Sequence, residues 1–140
     1  MADLEGLLAL ERRCFAGNEG LFNRRQVRYL LTSPRAAWLV AGDFAGAACC
    51  LRAGNGRQRW GRLYSLAVDP ACRKQGIARA LLDASFSWFR AQDIGLVRAE
   101  VKADNTAART LYAAMGFSEA GRIVDYYGAG ETAVKLIRRL

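Results

Sequence analysis

The sequence predicts an α/β fold of the α+β kind: a mixed, mostly antiparallel sheet, splayed at one central parallel pair, with helices on both faces. Three observations predict it. Three apolar strand segments follow one another after residue 36, which argues an antiparallel meander. A strand–helix–strand unit comes next, and such a unit places its two strands parallel in one sheet. Amphipathic helices stand before the meander and inside the later unit, so both sheet faces have a cover.

The elements read off in order. Asp3 is placed to cap a first helix, in which Leu4, Leu7, Leu8, Leu10 and Glu11 recur at near-helical spacing. Cys14 to Phe22, with two glycines, reads as a loop. Asn23 caps a second helix carrying Val27, Leu30 and Leu31, which Pro34 closes. Ala37–Ala41 is a strand, Gly42-Asp43 a turn, and Phe44–Leu51 the returning strand of a hairpin. Gly54-Asn-Gly is a loop before the third strand, Trp60–Val68. Gly76–Phe89 is a helix with Ala80, Leu81, Ala84 and Trp88 on one stripe. Leu96–Val101 is a strand. Asp104 caps a helix to Met115 whose face carries Ala108, Leu111, Tyr112 and Met115, and Gly116 stops it. Strands from Phe117 and over Ala133–Ile137 close the sheet around a Tyr126-Tyr127-Gly-Ala-Gly loop. The cleft is expected between Trp60–Val68 and Leu96–Val101.

Composition narrows the function. A chain of 140 residues is the size of one domain, read here as 1–140. No run approaches the ~18 apolar residues of a membrane span, and the acidic N-terminus lacks a signal-peptide pattern. The expectation is a soluble cytoplasmic protein. There is no histidine, which removes Ser-His and Cys-His catalysis. The four cysteines, Cys14, Cys49, Cys50 and Cys72, form no Cys-x-x-Cys pair, so no metal site is expected. They read as small buried or half-buried thiols, with Cys49 and Cys50 on opposite faces of one strand. The net charge of +8 suits a solvated basic surface, a phosphate-rich ligand, an acidic substrate or nucleic acid. Its basic residues stand singly in apolar text, which argues against nucleic acid.

The sharpest motif joins the end of the third strand to a helix start: Val68-Asp-Pro-Ala-Cys-Arg-Lys-Gln-Gly-Ile-Ala-Arg. Unsatisfied N–H groups at a helix N-terminus, with the helix dipole, bind an anion. Gly76 lets backbone approach a diphosphate, Ala78 keeps the next turn small, and Arg73, Lys74 and Arg79 add positive charge. Neither a Walker loop nor a G-x-G-x-x-G fingerprint is present.

VDPACRKQGIARALL resembles the coenzyme A pyrophosphate motif of the GNAT superfamily of N-acetyltransferases. LVRAEVKADNTAARTLYAAMGF, Leu96 to Phe117, is similar to the second half of that family's core, E-V-x-x-x-N-x-x-A-x-x-L-Y-x-x-x-G-F. The resemblance covers roughly residues 3 to 140. It is closest to the protein N-terminal acetyltransferases of the ribosomal-protein-alanine type, and the Tyr126-Tyr127 pair supports that subgroup. One departure is expected: the family's short first strand is missing or very short here.

The resemblance implies acetyl-coenzyme A as cosubstrate and direct transfer to a primary amine. Leu66, Ala67 and Val68 would offer backbone groups to the pantetheine arm. Lys74, Gln75, Gly76, Ile77, Ala78 and Arg79, with Arg73 beside them, would hold the pyrophosphate. Asn105 would hydrogen-bond the pantetheine region. Glu100 matches the general base, against the alternative of a surface glutamate paired with Arg98 or Lys102. Tyr112 matches the general acid that protonates the thiolate, although the same ring also suits the core. Tyr126 and Tyr127 would clamp a peptide or merely pack the hairpin, and Phe15–Phe22 would form the other side of the entrance. An acetyl-cysteine route is disfavoured, because Cys72 lies at the phosphate end and the other thiols lack a base. Three functions stay open: acetylation of a protein or peptide N-terminus, acetylation of a small amine, and coenzyme A binding without catalysis.

Overall fold

The computed structural model describes residues 2–15 and 22–140. The chain runs α1 (Ala2–Cys14), α2 (Arg24–Thr32), β1 (Ala36–Ala41), β2 (Gly46–Ala53), β3 (Trp60–Val68), α3 (Ile77–Ala91), β4 (Leu96–Lys102), α4 (Thr106–Ala114), β5 (Ser118–Gly128) and β6 (Glu131–Arg139). One six-stranded sheet has the order β1-β2-β3-β4-β6-β5. Every neighbouring pair is antiparallel except β3 and β4. Among the described residues no strand precedes α1, and β1 forms one edge of the sheet.

The parallel pair is short. Its register holds only Gly61 opposite Val97 and Arg62 opposite Arg98, and beyond these the strands diverge. Gly61 anchors the closed end. A Cβ there would meet the Phe89 ring at 2.5 Å, so glycine lets α3 settle directly on β3. Phe89 is fully buried in return.

Two clusters fill the two faces. Leu4, Leu7, Leu8 and Leu10 of α1 and Val27 and Leu30 of α2 pack on Ala47, Cys49 and Ala67. Leu81, Leu82, Phe86 and Phe89 of α3 and Tyr112 of α4 pack on Ala48, Cys50, Val97, Ala99 and Val101. Cys49 and Cys50 thus enter opposite clusters, as strand alternation requires. A bulge between them shifts the register with β3.

Several sequence expectations are corrected. Asp3 lies in the first turn of α1 rather than capping it. Asn105, not Asp104, caps α4: its side chain accepts from the Ala108 N–H at 3.1 Å, which satisfies an otherwise orphaned donor. The buried stripe of α3 is Leu81, Leu82, Ser85, Phe86 and Phe89. Ala80 and Ala84 are exposed and Trp88 is half-buried, because the helix turns its two phenylalanines inward, where burial gains most. The hairpin turn is longer than Gly42-Asp43. It runs through Phe44, which has φ +57°, so β2 begins at Gly46. Tyr126 and Tyr127 belong to the end of β5 rather than to a loop. They fall within its unpaired stretch, between the Ile123 and Gly128 ladder contacts.

Candidate active site

The cleft begins where β3 and β4 part. On β4, Val97, Ala99 and Val101 point into the α3–α4 cluster, so alternation turns Glu100 to the opposite face. On that face its carboxylate meets Arg62 of β3 at 3.3 Å, not Arg98 or Lys102. The Arg62 guanidinium also donates to the Tyr126 hydroxyl at 3.2 Å and lies 4.3 Å from the Tyr64 ring centre. Its Nε is buried with no partner among the described residues. Burial works against the Arg62 charge, but Glu100 and the neighbouring phenols outweigh it and hold the group protonated.

Two further phenols adjoin this group. The Tyr126 and Tyr127 rings meet edge to face at 4.9 Å. Burial, with Tyr126 and Glu100 nearby, pushes the Tyr127 phenol up to about 12. Tyr112 reaches from α4 and is 8% exposed, its ring edge-on to Phe117 at 5.2 Å. Burial, and then the adjacent Tyr127, raise its phenol above the ordinary range, so it stays protonated at neutral pH. The core reading of Tyr112 is met, and Tyr127 is close enough to act on its phenol.

The other end of β3 carries the loop that leads into α3. Asp69 starts a tight turn by accepting from the Ala71 N–H at 2.9 Å. That bond, and then Arg13, keep its carboxyl below the usual range. Lys74 has φ +66° and Gly76 φ +78°, so the loop curls before α3 begins at Ile77. Gly76 caps α3 with no side-chain hydrogen bond, which leaves the first N–H groups of the helix for an outside acceptor. A Cβ on Gly76 would meet nothing within 4 Å: the cradle is open to a ligand, and glycine serves the left-handed backbone. Lys74 and Gln75 are exposed beside it. A diphosphate fits this donor set. Arg79 leans instead toward the Met115 sulfur, at 3.8 Å.

Between the two ends, β3 presents alternate backbone groups. Asp69 N–H bonds Ala45 O at 2.8 Å, and the antiparallel ladder alternates from there. Ala67, opposite Ala47, spends its backbone groups on β2, while Leu66 and Val68 turn theirs toward the gap. Ala67 therefore contributes packing rather than a gap-facing amide. The Val68 carbonyl is already engaged by Arg73 Nε at 3.2 Å and by the Cys14 thiol at 3.3 Å, which leaves the N–H. Arg73 is thereby directed at the strand end rather than at the cradle. Asn105 caps α4 with its Oδ1, so its amide nitrogen is the group available to a coenzyme carbonyl.

No group of metal-ligating side chains occurs among the described residues. Burial raises the Cys50 thiol to about 11 and lifts Cys49 and Cys14 as well, which disfavours a thiolate nucleophile. Of the expected peptide entrance, residues 16–21 lie outside the described residues. Sequence reasoning missed Arg62 and Tyr64. The signal was present, since a lone arginine alternating with a tyrosine in an otherwise apolar strand marks one face.

A mixed sheet splayed at its parallel pair, with an open helix N-terminus at one mouth and a carboxylate–phenol cluster at the other, suits a coenzyme A-dependent acyltransferase. The chain belongs to the GNAT acetyltransferase family, whose model matches residues 4–117. The N-alpha-acetyltransferase RimI of Mycobacterium tuberculosis is 31% identical over 145 residues, covering 99% of this chain and 87% of that protein. The ribosomal protein bS18-alanine N-acetyltransferase of Haemophilus ducreyi is 40% identical over 76 residues, 51% of this chain and 52% of that one. The match thus spans about half the length of that relative. The solved structure of the ribosomal-protein-S18-alanine N-acetyltransferase from Escherichia coli superposes with a TM-score of 0.82 at 25% identity, covering 98% of this chain and 87% of that one.

Proposed function

We propose that this chain is one N-acetyltransferase domain over residues 1–140, moving the acetyl group of acetyl-coenzyme A to the N-terminal α-amine of a protein or peptide, in the manner of the ribosomal-protein-alanine enzymes. The observation that carries this reading is the position of Glu100. It is the only carboxylate on either strand of the splayed pair, and it faces the side on which Tyr126 stands. Resemblance to N-terminal acetyltransferases in sequence and fold supports the choice of acceptor.

Acetyl-coenzyme A supplies an activated thioester. The Gly76 cradle and Lys74 hold its diphosphate, and the N–H groups of Leu66 and Val68 and the Asn105 amide align the pantetheine in the gap. Glu100, oriented by Arg62, receives the proton of the acceptor amine, directly or through one water. A peptide α-amine, with a pKa of ~7.7–8.0, loses that proton far more readily than a lysine amine at ~10.4. Tyr112, kept protonated by burial, returns a proton to the departing thiolate. Tyr126 and Tyr127 flank the incoming peptide. Amine and thioester react without an enzyme-bound acetyl group. The domain acts in the cytoplasm, a reducing compartment that suits its four free thiols.

The test is thiol release from acetyl-coenzyme A with peptides of varied first residue, set against amino acids, polyamines and aminoglycosides. Turnover of peptides above small amines is expected. Turnover of small amines alone would move the acceptor to the small-molecule class, and coenzyme binding without turnover would leave a binding domain.

A further inference from the structure

On the sheet face shared by Glu100 and Arg62, a groove of about 490 Å³ opens between α2 and the ends of β2 and β3. Two guanidinium-bearing residues line it, Arg25 of α2 and Arg35 before β1; Arg52 of β2 borders it, but its side chain turns to the opposite face, where it bonds Gln92 after α3 at 3.3 Å. No aspartate or glutamate lines it among the described residues. The neighbouring Arg24 is neutralised by Glu5, outside the groove. The floor is apolar, and Tyr29 stands at the groove 67% exposed, an aromatic surface without an internal partner to bury it.

The groove is continuous with the candidate active site. Tyr64 lines it, Arg62 stacks on Tyr64, and Glu100 pairs with Arg62. An extended peptide advances ~3.3 Å per residue, so an acceptor with its amine at Glu100 runs its later residues toward Arg25 and Arg35. We propose that this groove is a specificity subsite for an acidic stretch of the acceptor peptide, with Asp or Glu paired to Arg25 and Arg35 and an adjoining apolar side chain laid against Tyr29. The inference rests on the peptide-acceptor reading above and names the acceptor's chemistry. A peptide is favoured over nucleic acid because the groove leads to an amine-accepting carboxylate, where a polynucleotide has no group to place.

The experiment compares peptides that share their first two residues and carry Glu, Gln or Lys at positions three to five. With acetyl-coenzyme A at low salt, the Glu peptide should exceed the Lys peptide in kcat/KM on the order of tenfold, with Gln between them. The difference should shrink as salt rises. The double variant R25E/R35E should invert the order, and a rise in its Tm on adding acetyl-coenzyme A would show that it is folded. Equal turnover of all three peptides by the parent enzyme would overturn this inference alone. Turnover of no peptide, with small amines acetylated, would overturn the parent reading and this one together. A short single-stranded RNA that inhibits all three peptides alike, with no charge preference among them, would assign the groove to nucleic acid and overturn the proposal.

Discussion

Arg62 ends the paired stretch of β3 and β4 and Glu100 lies two residues past it, so each can serve the gap while bracing the other. Replacing Glu100 with Gln keeps the shape and the contact to Arg62 but removes the proton acceptor. Turnover should fall by ~10²–10⁴, with acetyl-coenzyme A affinity little changed, in steady-state kinetics paired with calorimetry. Full activity of Glu100→Gln across pH would reduce Glu100 to a structural partner of Arg62. Tyr112→Phe leaves the ring that packs on Phe117 and removes only the hydroxyl. Its fold and coenzyme binding should persist while turnover drops, and the loss should be smaller with an acyl donor whose leaving thiol is more acidic. A loss of equal size for both donors would show that the phenol does not protonate the thiolate.

In the proposed function the α3 N-terminus is the element on which cosubstrate binding depends. Acetyl-coenzyme A should raise the Tm of the parent protein by binding only the folded cradle, a stabilisation of about 2.7 kcal/mol at a hundredfold excess over Kd. Gly76→Glu forces a side chain onto a backbone at φ +78° and places a negative charge at the diphosphate, so that rise should vanish in a thermal-shift assay. An undiminished rise would place the diphosphate elsewhere. This element was legible in the sequence, because the loop, the glycine and the cations are local signals. So was Trp60–Val68, whose bounds the structure reproduces. The α3 stripe was not, since alanines and one tryptophan fit helical spacing as well as two phenylalanines do. Only the notch over Gly61 decides which side faces inward. The Glu100–Arg62 pair was hidden for a similar reason: it joins residues 38 positions apart through a parallel register that alternation on one strand does not reveal. The tyrosine pair read as a loop, and its place on β5 depends on a break in the β5–β6 ladder.

Across the whole molecule, α1 closes one sheet face and buries a carboxylate in doing so. Glu11 is 2% exposed and accepts from the Ser65 hydroxyl at 3.1 Å. Burial, partly offset by that bond, raises its pKa from 4.5 to about 7. The folded chain therefore binds this proton more tightly than the unfolded chain between those values. Stability should fall as pH rises from about 4.5 to about 7 and then level off, an effect of roughly 3 kcal/mol at most. Glu11→Gln should flatten that slope, gaining over the parent at pH 8 and little at pH 4.5, as read by denaturant melts. In the proposed function an acceptor chain reaches Glu100 from this same face. The most direct test of this account is to locate the acetyl group in the product. A peptide with a free α-amine and one internal lysine, incubated with acetyl-coenzyme A and the enzyme, is fragmented in a mass spectrometer. The account predicts a single acetyl group on the α-nitrogen, released thiol in equal amount, and no reaction once the N-terminus is blocked. Acetyl on the lysine side chain, or undiminished turnover of the blocked peptide, would contradict it.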